Sequence, residues 1–218
     1  MLRPPFPSSS HIVPLDWRNP VHLDAAARLT VELLPVSPAA RLGYDYLAGF
    51  HFVYLVRDGL IQCDLYQWDG TIVGFVAYTT QPFTFIQQGM RKHFPALAYR
   101  LGKSLLMKPR RLLSILDVMN QGQWRGRTTL DPKLGEMLSL GVQEKYRSIV
   151  DPETGSKISY ALLGNALNRL KEAKSSAVLF VVAKGNQRAL SIYYKLGAVK
   201  HDTPYASDAS EILTIPLH

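Results

Sequence analysis

Two side chains in this sequence stand where proton chemistry could be done. Tyr193 lies in Asn186-Gln187-Arg188-Ala189-Leu190-Ser191-Ile192-Tyr193-Tyr194-Lys195-Leu196-Gly197, which reads as a helix capped by Asn186 and ended at Gly197. Asn186 and Tyr193 are two helical turns apart, so they share a face with the small Ala189 between them, and Tyr194 points elsewhere. A phenol held on such a face could donate a proton. Glu136 falls in the strand-like run Leu134–Val142. In a regular strand it shares a face with Leu138 and Leu140, and apolar neighbours raise a carboxyl pKa toward that of a useful base. Each residue also has a plainer reading: Tyr193 as a core tyrosine packed on a sheet, Glu136 as a solvated glutamate at a strand end.

The elements that must position these groups alternate along the chain. His11–Asp16 reads as a short strand whose Pro14 suits a sheet edge. Asn19-Pro20 is a cap followed by a first-turn proline, and Val21–Leu34 carries helical spacing up to Pro35. Arg41–Arg57, rich in aromatic residues, reads as a second helix. Leu60–Trp68 and Thr71–Thr80 form a hairpin through Asp69-Gly70, with Gly74 marking a bulge or a close backbone approach. Phe83–Asn120 is helical and broken at Pro95 and Pro109; its charges are Arg91, Lys92, Arg100, Lys103, Lys108, Arg110 and Arg111, with no acid before Asp117. Gln121–Pro132 reads as a loop. After the strand Leu134–Val142 and a polar loop come the helix Ile158–Glu172, the buried strand Ala177–Val182, the helix of Tyr193 and a last strand at Ser210–Pro216. The crossover from Leu134 to Val182 implies at least one parallel pair in a mixed sheet.

The pattern Asn186-x-x-Ala189-x-x-x-Tyr193-x-Lys195-Leu196-Gly197 after a buried strand resembles the last cofactor-binding motif of the GNAT N-acetyltransferases. Asp69-Gly70 followed by Val73-Gly74-Phe75-Val76-Ala77 is similar to that family's central hairpin, and Glu136–Arg147 to its fourth strand and the start of its pyrophosphate loop. The resemblance implies an α/β GNAT fold, with a mostly antiparallel mixed sheet holding one parallel pair, over residues 11–218 as one domain, after a disordered tail at residues 1–10. It implies acetyl-CoA, or another acyl-CoA, as cosubstrate. Backbone groups at Leu140, Gly141 and Val142 would pair with the pantetheine arm, and a helix N-terminus would cradle the pyrophosphate. Asn186, Ala189 and Tyr193 would line the thiol end. Some family members place a catalytic glutamate at the position of Glu136, and in many the tyrosine matching Tyr193 protonates the departing thiolate. Transfer from a phenol of pKa ~10 to a thiol of ~8.5 is uphill by about 2 kcal/mol.

The loop departs from the family's Gln/Arg-x-x-Gly-x-Gly/Ala pattern. Arg147-Ser148 is followed by Ile149-Val150-Asp151-Pro152-Glu153-Thr154 before Gly155-Ser156-Lys157-Ile158, so two acids fall near the expected phosphates. Arg147, Ser148, Gly155, Ser156, Lys157 and Ile158 are the candidate phosphate contacts, and the register stays open: Gly155 fills either glycine position, or residues 157–159 replace both.

Composition narrows the classes. With 218 residues, 47% of them hydrophobic, the chain can bury a core without staples. One cysteine, Cys63, excludes an internal disulfide, and six scattered histidines lack metal-ligand spacing, so no metal site and a cytoplasmic setting are expected. A net charge of +8 favours an anionic partner. The leading expectation is transfer of an acyl group to the amine of a small anionic, sugar-nucleotide-like acceptor. Two alternatives remain: a non-catalytic acyl-CoA sensor on the same scaffold, and a basic membrane- or nucleic-acid-surface module using residues 91–111. Sparse aromatic interleaving there argues against nucleic acid. Peripheral membrane contact and a homodimer stay open.

Overall fold

The computed structural model describes residues 6–107, 133–201 and 210–217, with backbone only for residues 101–107. Strand β1 (Ile12–Pro14) lies at one sheet edge, where Pro14 removes no ladder bond from a second neighbour. Helix α1 (Pro20–Leu33) starts as the cap predicts: the Asn19 side chain accepts from the Val21 N–H and Pro20 occupies the first turn. The expected helix 41–57 is divided. Gly43, at φ 95°, separates α2 (Pro38–Leu42) from α3 (Tyr44–Tyr46), which runs on as a π-helix over Leu47–Leu55. Strands β2 (Gln62–Trp68) and β3 (Thr71–Thr79) turn through Asp69 and Gly70, both at positive φ, the geometry favoured for two-residue hairpins.

Helices α4 (Phe85–Lys92) and α5 (Phe94–Met107) divide at His93. Pro95 therefore falls in the first turn of α5, where its missing N–H breaks no helical bond. The rest of the expected basic segment, residues 108–120, and the loop 121–132 lie outside the described residues. Then follow β4 (Leu134–Val142), a short 3-10 turn (Glu144–Tyr146), α6 (Ile158–Glu172), β5 (Ala177–Ala183), α7 (Gln187–Lys195), β6 (Val199–His201) and β7 (Ser210–Pro216). Strand β6, absent from the sequence reading, pairs with β7 at the far edge.

The seven strands run β1-β2-β3-β4-β5-β7-β6. Every pairing is antiparallel except β4 with β5, which is the expected mixed α/β sheet with one parallel pair. Apolar cores fill both faces. One packs α6 and α7 on the sheet through Leu162, Leu163, Leu167, Phe180, Leu190 and Tyr193; the other packs α1 and the π-helix through Ala27, Leu47, Phe50, Phe52 and Phe75. Gly74 answers to both readings made of it. A register shift beside Tyr66 leaves Val73 as the extra residue of a bulge, and a Cβ on Gly74 would lie 3.0 Å from the Gly141 carbonyl oxygen.

Part of the expected tail is fixed to the body. The Phe6 N–H donates to Asn168 Oδ1 at 2.9 Å and the Asn168 amide returns a bond to the Phe6 carbonyl at 2.8 Å. Ser9 is buried. The difference from expectation has a simple cause: polar partners on α6 and its preceding loop replace the water that a polar, proline-rich stretch would otherwise keep.

Candidate active site

Strands β4 and β5 hydrogen-bond as parallel neighbours only over Leu134–Met137 and Ala177–Phe180. Beyond that point β4 continues to Val142 against β3 alone, and β5 continues to Ala183 against β7 alone. The sheet therefore opens into a wedge whose apex lies at Met137 and Phe180. The cause is local. The β3–β4 register shifts between Ala77 and Tyr78, leaving Leu138 as an extra residue on β4, and a bulge of this kind bends its strand and increases its twist. Exposure follows the same line: Leu138, Ser139 and Leu140 are half-buried, and Val181 and Ala183 are exposed, while both strands are largely covered below the apex.

Glu136 sits one residue below the apex and is 1% exposed. Its Cα partners are Thr79 on β3 and Leu179 on β5. Its neighbour Met137 belongs to the core under α6, so Glu136 faces the side of α1 and the π-helix. The extra residue corrects the expectation of one shared face for Glu136, Leu138 and Leu140. Leu138 packs with the core on the α1 side and Leu140 with the core on the α6 side, because a one-residue insertion inverts the alternation.

Tyr193 comes to the apex from the opposite face. It is 8% exposed, and its ring lies on Phe180 with centroids 4.3 Å apart. Burial pushes its phenol up to about 12. Asn186 caps α7 as predicted, its Oδ1 accepting from the Ala189 N–H at 3.1 Å, and Ala189 is half-buried on the same side. Tyr194 donates to Glu211 at 2.9 Å and is exposed, away from the wedge. A buried carboxyl and a buried phenol thus flank the apex from opposite sides of the sheet.

The connection from β4 to α6 forms the outer part of the site. Arg147 Nε donates to the Val142 carbonyl at 3.0 Å, tying the guanidinium to the strand end. Residues 150–157 fold as a miniature hairpin. Val150 bridges Lys157, the Asp151 N–H donates to the Ser156 carbonyl at 2.7 Å, and the Gly155 N–H to the Asp151 carbonyl at 2.9 Å. Gly155, at φ 64°, is the turn residue. Helix α6 starts at Ile158 with Lys157 as an extended cap residue making no side-chain cap bond. The Ile158 N–H donates to the Ile149 carbonyl at 3.4 Å and the Tyr160 N–H to the Lys157 carbonyl at 2.8 Å, so part of the first turn is already paired where it follows the hairpin.

Neither acid of this loop takes the place the sequence suggested. Asp151 is fully buried. Its Oδ1 accepts from the N–H groups of Glu153 and Thr154 at 3.0 and 2.7 Å. Its Oδ2 accepts from Ser9 Oγ at 2.6 Å and from the Tyr66 hydroxyl at 2.5 Å. Burial opposes ionisation here, but the bonds from Ser9, Tyr66 and Thr154 outweigh it and hold the carboxyl at about 2. Glu153 accepts from the N–H and hydroxyl of Ser10. Both carboxylates turn toward the N-terminal segment. No local spacing signals this, since the partners of Asp151 lie 142 and 85 residues away in the chain.

Other polar groups are structural. Asp64 is buried beneath α6, accepting from Tyr78 at 2.9 Å and Asn165 at 2.7 Å, and burial raises its carboxyl above the usual range. Asp58 joins Lys92 at 3.1 Å, Arg57 at 3.2 Å and His93 at 2.5 Å. Burial of Asp58 is outweighed by those three partners, which hold it at about 2. His51, in the π-helix, has a buried Nδ1 without a partner, and burial lowers its imidazole to about 4. Cys63 is buried in the core, and burial pushes its thiol up. Of the basic segment, Arg91 and Arg100 are exposed and Lys92 reaches Asp58; the side chains of Lys103, Lys108, Arg110 and Arg111 lie outside the described residues. Among the described residues no cluster with metal-ligating composition occurs, and no helix is long and apolar enough to cross a membrane.

No protein-family model matches the sequence, and no curated protein matches it significantly. Solved structures match over nearly the whole chain. The PaiA N-acetyltransferase from Thermoplasma acidophilum, solved with coenzyme A, is 15% identical with a TM-score of 0.52, covering 94% of this chain and 97% of its own. Arabidopsis thaliana NAA60, solved with acetyl-CoA, gives 14%, 0.53, 94% and 97%. A chain of the NatC complex bound to Gag peptide and CoA gives 15%, 0.55, 95% and 98%. At this identity the likeness establishes the fold, which is that of the GNAT acetyltransferases.

Proposed function

We propose that the protein is an acyl-CoA-dependent N-acyltransferase acting on the amine of a small anionic acceptor. The observation that carries this reading is the wedge between β4 and β5 with Glu136 and Tyr193 on either side of its apex. The residues present fit an acyl-CoA. The β4 edge beyond Met137 can pair with an extended pantetheine as a strand would, through backbone groups of Leu140 and Val142. The Gln143 N–H donates to the Val73 carbonyl, and the alternation that this sets turns the backbone groups of Gly141 toward β3 instead. The loop from Arg147 and Ser148 to Ser156, Lys157 and Ile158, ending on the first turn of α6, suits a pyrophosphate. When bound, the acyl-CoA supplies a thioester-activated acyl group. Coenzyme A or acetyl-CoA in the related structures supports this donor.

Each residue then has a defined task. Glu136, buried on the α1 face, takes a proton from the acceptor amine, directly or through water. N–H groups along the free β4 edge point to where negative charge develops on the acyl oxygen. Tyr193, whose phenol is protonated at neutral pH as any tyrosine is and is held so more firmly by burial, holds its proton at Oη for the leaving sulfur. Asn186 fixes the start of α7 and hence the position of that phenol. The acceptor amine is placed on the Glu136 side of the apex, toward α1 and the π-helix, because that is the side on which the carboxyl can meet it. Its anionic character is inferred from the net charge of +8 and from exposed Arg91 and Arg100.

A thermal-shift and thiol-release assay with acetyl-CoA across a panel of neutral and anionic amines tests the proposal. The expected result is stabilisation by acetyl-CoA, with thiol release accelerated by the anionic amines. Stabilisation without release for any amine would mark a sensor; absence of stabilisation would remove the acyl-CoA site altogether.

A further inference from the structure

The N-terminal segment does more than decorate the surface. Asn168, nearly three turns from the start of α6, grips the Phe6 backbone with two bonds of 2.9 and 2.8 Å. The Phe6 side chain lies on Gly164 so closely that a Cβ there would stand 2.8 Å from Phe6 Cβ. Three residues on, Ser9 Oγ donates to Asp151 Oδ2 at 2.6 Å, and Ser10 donates to Glu153 from both its N–H and its hydroxyl. His11 then stacks on Tyr66 at 5.7 Å, and the Tyr66 hydroxyl donates to the same Asp151 oxygen at 2.5 Å. One buried carboxylate thereby joins the miniature hairpin 150–157 to β2 and to the N-terminal segment, which Asn168 in turn ties to α6.

We propose that Phe6–Ser10 and Asp151 form a latch that positions the β4–α6 connection for acyl-CoA, with Ser9, Asp151 and Asn168 as positioning residues that do not touch the ligand. This rests on the acyl-CoA reading above. The physical reason lies in the loop itself. Residues 148–157 contain a single glycine, Gly155, and the turn at Asp151–Ser156 uses its own backbone donors internally. A loop of this length ordered only on binding would charge its entropy to the ligand. Holding Asp151 from two sides orders it beforehand, at the end of the connection that leads into the first turn of α6.

The test is isothermal titration of the full chain with acetyl-CoA, alongside steady-state kinetics, for wild type, Ser9→Ala, Asn168→Ala and the double variant. Each single variant is expected to weaken acetyl-CoA binding and raise its KM by about fivefold, since only part of the one or two hydrogen bonds lost reaches the ligand through the loop. The kcat and the acceptor KM should stay within about twofold, and the double variant should fall short of the product of the two effects because both open one latch. Tyr78→Phe is the control: it loses a buried bond to Asp64 beneath the same helix and should lower the Tm without moving the acetyl-CoA Kd. Unchanged Kd in both single variants, with wild type binding normally, overturns the latch and leaves the acyl-CoA site standing. Equal weakening in Tyr78→Phe overturns it too, by showing that general loss of stability suffices. Wild type that does not bind acetyl-CoA removes the latch together with the reading on which it rests.

Discussion

Replacing Tyr193 by phenylalanine isolates the proton that the proposed reaction needs last. The ring stacks on Phe180 at the wedge apex, and burial places its phenol at about 12. Against a thiol of pKa ~8.5, giving up that proton is uphill by roughly 3.5 units, or about 5 kcal/mol, compared with about 2 kcal/mol for a solvated phenol. The transfer stays within reach of an enzymatic barrier because the alternative is worse: a bare thiolate in a water-poor apex carries a desolvation cost of several kcal/mol. Tyr193→Phe keeps the ring and removes only the hydroxyl. A general acid contributes about 10²–10⁴ in rate, so kcat for thiol release should fall by at least about a hundredfold. The KM values should change by less than about threefold. Because the ring keeps its packing on Phe180, removing the hydroxyl should change the Tm little. Stopped-time thiol titration on purified wild type and variant, with the Tm measured on the same samples, decides the matter. A variant retaining a third or more of wild-type kcat would refute the reasoning. The pH profile gives an independent check: wild type should show no descending limb from this residue below about pH 11, since the phenol stays protonated there.

Three further outcomes follow from the same geometry. Glu136→Gln should lower kcat/KM for the acceptor by about 10²–10³ at neutral pH while leaving the acetyl-CoA Kd unchanged, which titration and kinetics together would show. Gly74→Val sets side-chain carbon against the Gly141 carbonyl and Val142 Cγ2, 3.0 and 3.1 Å from the Cβ position; destabilisation of about 1–3 kcal/mol in urea unfolding, with weaker acetyl-CoA binding from a displaced β4, is expected. Asp151 is held at about 2 against an ordinary 3.8. Its depressed pKa contributes stability that is present above pH ~4 and lost as pH falls through about 2, up to about 2 kcal/mol. Asp151→Asn should therefore flatten the urea midpoint between pH 5 and 2 relative to wild type; an identical slope would contradict the assignment.

The parts of this protein legible in its sequence are those set by neighbours along the chain. Asn19-Pro20 and Asn186 start their helices by capping N–H groups two or three residues away, and Asp69-Gly70 turns a hairpin through its own φ angles. The alternation of strands and helices leaves a crossover, and a crossover forces the parallel pair β4–β5. Tyr193 on the inner face of α7 follows from helical period alone. What depended on residues far apart was decided only in three dimensions. By sequence Asp151 is only an acid in the loop expected to meet phosphates; that it is buried and bonded there follows from Ser9 and Tyr66, distant in sequence, which converge on its carboxylate. The face of Glu136 relative to Leu140 turned on one extra residue at Leu138, which period-two reasoning cannot see because a bulge is created by the partner strand as much as by its own. The wedge between β4 and β5 has the same origin: hydrogen bonding across the sheet stops where the bulge bends one strand away, and no local propensity in either strand records where its partner leaves.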